Sequence, residues 1–287
     1  MATDSRTALP YAATAVSAYG AAAVAGRVLA AHPPGGAQLW DRHNHAGATV
    51  SLLEGPAYVA GAALGAVVGA RVARGRATVP RAGQVAAALA AAAGALGLID
   101  DLRGDSASKG LRGHLTALAR GQVTTGAVKI LGLGAAGVLA ADSLRPVDSR
   151  GARRLADALV GGGVIAGSAN LANLLDLRPG RALKAVTIVA GVLAGSPRRQ
   201  LPGAAALGAA AATLPGDLAG RTMLGDTGAN SAGALVGAAI VAQVPRGARA
   251  AVLAIVVGLT LASERVSFTA VIESTPVLRE LDAWGRR

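Results

Sequence analysis

The sequence contains no cysteine, which excludes disulfides, thiolate metal sites and cysteine nucleophiles together. Aromatic residues are almost as scarce, at 2 Trp, 3 Tyr and 1 Phe in 287 residues. Charged residues make up only 15% of the chain, where a soluble domain usually approaches about a quarter. Histidine occurs four times, as His32, His43, His45 and His114, and not at all thereafter. Together these shortages exclude an ordinary soluble enzyme and point to a bilayer.

What is there instead is Ala, Gly, Val and Leu, in a chain that is 52% hydrophobic with 40 glycines. Small side chains let helices pack closely in lipid, although a genome rich in Ala, Gly and Arg codons would leave the same bias. Charge-poor stretches near the length needed to cross roughly 30 Å of hydrocarbon recur at 8–30, 49–70, 83–99, 122–141, 157–175, 182–195, 201–214, 229–244 and 248–263. The pattern predicts an all-α fold, a polytopic integral membrane bundle of about nine transmembrane helices forming one domain over 1–287. No cleavable signal is expected ahead of the first span. Residues 264–287 place Val271, Ile272, Val277, Leu278, Leu281 and Trp284 among charges, as an interfacial amphipathic tail would. The net charge of +12 is scattered through short loops, which suits a membrane surface and makes nucleic acid an unexpected partner.

Lys and Arg are spread almost evenly over alternate loops, so the positive-inside rule does not decide orientation. The acids are uneven. Of 16 Asp and Glu, only Asp4, Asp142, Asp148 and Asp157 fall outside the odd-numbered loops and the tail. Loops separated by two spans share a membrane face, so the polar clusters are expected to meet on one side.

Three clusters carry chemistry. In "GLIDDLRGD", Asp100 and Asp101 lie side by side at a helix C-terminus, where the helix dipole is unfavourable for anions. Such a pair suits Mg²⁺, which prefers a few carboxylates plus substrate oxygens. Equally, it is a solvated pair neutralised by Arg103 or Lys109. In "NLANLLDLRPGR", Asn170, Asn173 and Asp176 recur every three residues as a polar stripe, fit to bind a base or sugar or to hydrogen-bond a neighbouring helix. Arg178 and Arg181 add capacity for phosphate. "MLGDTGAN" sets Asp226 between Gly225 and Gly228 just before a helix, placed to hold a cation over phosphate at the helix N-terminus or simply to cap it. His43 and His45 in "DRHNHAG" read as contacts to headgroup or substrate in preference to metal ligands.

In this order, "GLIDDLRG", "NLANLLD" and "MLGDTGAN", with "RHNHAGATVSLLEGP" ahead of them, resemble the polyprenyl-phosphate N-acetylhexosamine-1-phosphate transferases, the glycosyltransferase family that includes phospho-N-acetylmuramoyl-pentapeptide transferase. The resemblance covers about residues 42 to 235. It implies Mg²⁺-dependent transfer of a sugar 1-phosphate from a UDP-sugar to a polyprenyl phosphate at the cytoplasmic face of the plasma membrane, with Mn²⁺ as a substitute ion, in cell-envelope glycan synthesis. By position, Asp226 and Asp101 would be metal ligands, Asp100 would accept a proton from the attacking phosphate, and Asn173 and Asp176 would help bind nucleotide. Asn170, Arg178, Arg181 and Lys109 complete the expected substrate contacts, and a homodimer is compatible with them. The chain departs from the family where a second Asp would follow Asp176, since "LRPGR" stands there, and in lacking a late His cluster. These departures keep open a non-catalytic nucleotide-sugar or lipid-phosphate binding protein, and further off a small-solute transporter.

Overall fold

A computed structural model describes residues 5–43, 47–75, 79–103, 113, 116, 119–122, 124–144, 150–196 and 200–286. Eleven helices carry the fold among them: α1 Ser5–Ala31, α2 Glu54–Val72, α3 Val79–Arg103, α4 Thr125–Leu144, α5 Gly151–Leu175, α6 Arg181–Ala194, α7 Leu201–Leu218, α8 Gly225–Gln243, α9 Arg246–Ser263, α10 Phe268–Ser274 and α11 Pro276–Ala283. Each of the nine apolar stretches in the sequence coincides with one of the helices α1 to α9.

Six of these, α1 to α5 and α9, are long and apolar enough to cross a membrane. The other three differ for physical reasons. With 14 residues, α6 is only about 21 Å long. The sequences of α7 and α8, LPGAAALGAAAATLPGDL and GDTGANSAGALVGAAIVAQ, are interrupted by Gly, Pro and polar residues. Both are largely buried, and a helix surrounded by protein needs no lipid-facing Leu or Val. Exposed Val16, Val24, Leu131, Leu139, Leu155, Val192, Ile255 and Leu261 instead give the outer helices the apolar surface that lipid would cover.

One stretch departs from the helical expectation. Residues 49–51 form a strand, not the start of the second span, so α2 begins at Glu54. Strand β1 (Asp41–His43) pairs antiparallel with β2 (Thr49–Ser51), with Arg42 opposite Val50. The β-branched Thr49 and Val50 favour this, and buried Trp40, Leu52 and Leu53 seat the hairpin against Leu98 and Met223. Ser51 also bridges to Thr222, tying the hairpin to the segment that leads into α8.

Small residues set the spacing of the interior. Tyr58 is fully buried and donates to the Ala206 carbonyl of α7 at 3.1 Å, and nearly everything around it is Ala or Leu. Two close approaches meet at the start of α8. A Cβ added at Gly97 of α3 would lie 2.2 Å from the Asp226 carbonyl oxygen, and one at Gly55 of α2 would lie 2.3 Å from that of Leu224. Gly225 takes φ +59°, which L residues rarely adopt, as the chain turns into α8. Glycine at 55 and 97 thus lets α8 begin wedged between α2 and α3.

Gly97→Ala is accordingly expected to lower stability by about 1–3 kcal/mol, as overpacking does. Gly191→Ala on α6, where an added Cβ meets nothing within 4 Å, should be neutral or slightly stabilising. Melting temperatures in detergent compare them, and equal effects of the two substitutions would remove the close-approach argument.

Candidate functional site

The ends of six helices bring the acids together. The C-terminal ends of α3, α5 and α7 contribute Asp100, Asp101, Asp176 and Asp217, while the N-terminal ends of α2, α4 and α8 contribute Glu54, Lys129 and Asp226. These acids therefore lie at one end of the bundle, as their placement in alternate loops predicts. At the opposite end, Asp142 and Asp157 pair with Arg154 and Arg246.

Adjacent residues on a helix project about 100° apart, so Asp100 and Asp101 face different neighbours. Asp100 Oδ2 lies 2.6 Å from Lys129 Nζ, and the same ammonium contacts Asp226 Oδ2. Lys129 stands in the first turns of α4, whose start is capped by the Thr124 hydroxyl accepting from Ala127 N–H at 3.1 Å. One cation position is thus shared by two carboxylates from different helices, each side chain about one-fifth exposed.

Asp101 faces the start of α8. Its Oδ1 accepts from the Asp226 N–H at 2.9 Å, and its Oδ2 accepts from the Thr227 N–H at 2.9 Å and the Thr227 hydroxyl at 2.6 Å. Asp176 completes the arrangement, its Oδ2 accepting from the Gly225 N–H at 2.9 Å. Three successive N–H groups at the start of α8 are therefore satisfied by carboxylates from α3 and the end of α5. The helix N-terminus expected to receive phosphate is already filled by these anions.

The Asn stripe divides. Asn170 donates to the Thr260 hydroxyl of α9 at 3.3 Å, so it serves helix packing. Asn173 is half-buried in the last turn of α5, and Asp176 lies past the helix end, turned under α8. Arg178 and Arg181 do not meet the Asp100 and Asp226 pair. Arg181 is buried in a two-point pair with Asp282 of α11, at 2.7 and 2.9 Å, and Arg178 reaches Glu273 of α10 at 3.1 Å. Lys184 donates to the Leu281, Asp282 and Trp284 carbonyls, closing the end of α11, and Arg286 donates to the Pro179 carbonyl. The stretch "LRPGR" is thus the seat of the C-terminal tail. Lys109 and His45 lie outside the described residues.

A cavity of about 190 Å³ opens beside this end, lined by His43, Val50, Asp176, Arg178, Asp217 and Thr222 among others. Burial raises the Asp176 carboxyl well above the ordinary carboxylate range, with the charges of Asp217 and Glu54 adding to it and the Gly225 N–H opposing. Sequence reasoning missed Lys129, Glu54 and Asp217 as members of the site. Lys129 carried a usable signal, since a lone charge inside an apolar span requires a partner.

Among the described residues, no three His, Asp or Glu side chains stand close enough to hold a metal ion. Asp100 and Asp226 nevertheless converge on a single cation position with hard oxygen donors. That set fits Mg²⁺, which is held by one or two carboxylates and completes its shell with water and phosphate oxygens.

Asp176→Asn keeps an acceptor for the Gly225 N–H and removes the charge. An acid whose pKa is raised by folding contributes its stability below its unfolded pKa and loses it as pH rises toward the folded value. The variant should therefore melt above the wild type at neutral pH, by roughly 2–4 °C per kcal/mol relieved, with the gap closing as pH falls toward about 4. Melting curves across that range check this, and a gap independent of pH would refute it. Compared with known proteins, the chain matches no family model and no curated protein.

Proposed function

We propose that the protein is a divergent polyprenyl-phosphate N-acetylhexosamine-1-phosphate transferase, moving a sugar 1-phosphate from a UDP-sugar to a polyprenyl phosphate with release of UMP. The observation that carries this reading is the convergence of Asp100 and Asp226 on one cation position at the end of an apolar bundle. Two anionic substrates must meet in this reaction, so shared positive charge held by fixed carboxylates is its first requirement. On this reading nine helices cross the plasma membrane and the site faces the cytoplasm. Dissolved nucleotide sugar then enters from water, while the lipid enters sideways from the bilayer.

In the step itself, an oxygen of the lipid phosphate attacks the phosphorus that carries the sugar. The bond from that phosphorus to the bridging oxygen breaks, and UMP leaves with the electron pair. Mg²⁺, with Mn²⁺ as substitute, supplies neutralising charge between the two phosphates when bound. Asp100 and Asp226 are the residues to hold it, and Asp100 takes any proton on the attacking phosphate. Lys129 bridges the same two carboxylates and offers its ammonium to a phosphate oxygen when the site is loaded. Asp101 and Asp176 act by position, fixing the first turn of α8 and so the direction of Asp226. Nucleotide contacts fall to Asn173, Asp176 and Arg178 along the end of α5.

Purified protein supplied with undecaprenyl phosphate, Mg²⁺ and a panel of UDP-sugars should release UMP with at least one of them. Asp226→Asn and Asp100→Asn should each lower kcat by about 100-fold or more while the protein stays folded. Unchanged turnover in both variants would sink the assignment. Thermal stabilisation by a UDP-sugar with no UMP across the panel would replace it with a binding protein.

A further inference from the structure

The end of the bundle holds a second group of acids that the transfer step does not use. Glu54 opens α2 and is 5% exposed, and Asp217 lies near the end of α7 and is 1% exposed. Glu54 Oε2 accepts from the Thr222 hydroxyl, yet Oε1 is buried with no hydrogen-bond partner, and so is Asp217 Oδ2. Asp176, already engaged at the start of α8, lines the same cavity as Asp217 and Thr222. It accepts from the Gly225 N–H at 2.9 Å.

Buried carboxylates are stable only when paired or when neutralised by a bound cation or proton. The cations at hand are committed elsewhere. Arg178 lines the cavity but pairs with Glu273, Lys184 is taken up by the carbonyls of α11, and Arg286 is held by Asp282 and the Pro179 carbonyl. Lys129 is engaged by Asp100 and Asp226. Among the described residues no cation touches Glu54 Oε1 or Asp217 Oδ2, although Lys184 and Arg286 lie near enough to act on Asp217 and the Gly180 N–H donates to it.

We propose that Glu54 and Asp217, with the Thr222 hydroxyl, bind a divalent cation of the Mg²⁺ or Mn²⁺ class between their orphaned oxygens, beside this cavity and separate from the position shared by Asp100 and Asp226. All the donors are hard oxygens, as such ions prefer. Asp217 and Thr222 line the cavity of about 190 Å³, which gives an ion and its waters a way in. Two carboxylates with a shell of water suffice for such an ion, so a cage of three protein acids is not required. The residues come from α2, α7 and the segment before α8, so the ion would also tie together the three elements on which α8 is seated.

The test is a titration of metal-stripped protein in detergent with MnCl₂, with free Mn²⁺ read by electron paramagnetic resonance. The background is the double variant Asp100→Asn with Asp226→Asn, which abolishes the first position. That background is expected to retain one Mn²⁺ per chain. Adding Glu54→Gln, or separately Asp217→Asn, should then weaken it about tenfold or more. Both substitutions preserve shape, and two separate variants keep the test available if one fails to fold, as judged by its melting curve. A stoichiometry of one in both wild type and background would remove the first position, and with it the transferase reading, while supporting this site. No Mn²⁺ bound in the background, or unchanged affinity after either substitution, would overturn the proposal.

Discussion

The structure depends on how the first turn of α8 is held. A helix begun in the interior exposes N–H groups that water cannot reach, and leaving them unpaired costs about 1–3 kcal/mol each. Asp101 and Asp176 satisfy three of them, from α3 and from the end of α5. The helix dipole favours an anion at Asp101, while burial works against charge on Asp176. That contact requires α8 to come very near α3, and Gly97 is what permits it. The direction of Asp226 follows, because its own N–H is one of the three.

An arrangement of this kind concentrates negative charge and then has to balance it. Lys129 supplies one positive charge where Asp100 and Asp226 meet. The other nearby cations, Arg178, Arg181, Lys184 and Arg286, are drawn off by the tail, whose Glu273 and Asp282 and helix-end carbonyls hold them. Among the described residues, the acidic end of the bundle is therefore left with more carboxylate than nearby cations pair with. An excess of this sort suits cations and phosphates arriving together and is costly in any purely structural role.

Much of this was legible in the sequence, because hydrophobic length reports helices directly and acid placement reports their common end. Every expected span coincides with a helix, and Asp100, Asp101, Asp176 and Asp226 do meet. Less legible was the division of labour. "DD" reads as a unit in one dimension, but a helix sends neighbours to different partners, so one carboxylate goes to Lys129 and the other to α8. The Asn170, Asn173 and Asp176 stripe divides for a related reason: Asn170 goes to Thr260 of α9, whereas Asp176 caps α5 and accepts from the Gly225 N–H of α8. Burial misled in another direction, since α7 and α8 are less apolar than lipid-facing helices because protein surrounds them.

The stretch "LRPGR" shows how a departure from a family pattern acquires its own physical account. Gly180, at φ +72°, turns the chain sharply between α5 and α6, which puts Arg181 and Lys184 one turn apart on the buried face of α6. Two cations so placed need oxygen partners, and Asp282 with the carbonyls ending α11 provides them. The tail is thereby folded against α6 with its apolar residues Val277 and Trp284 still exposed, as an interfacial anchor would present them. Arginine at these positions thus serves docking, and any contact with substrate phosphate at this end has to be made by Arg178, which alone of the two arginines also lines the cavity.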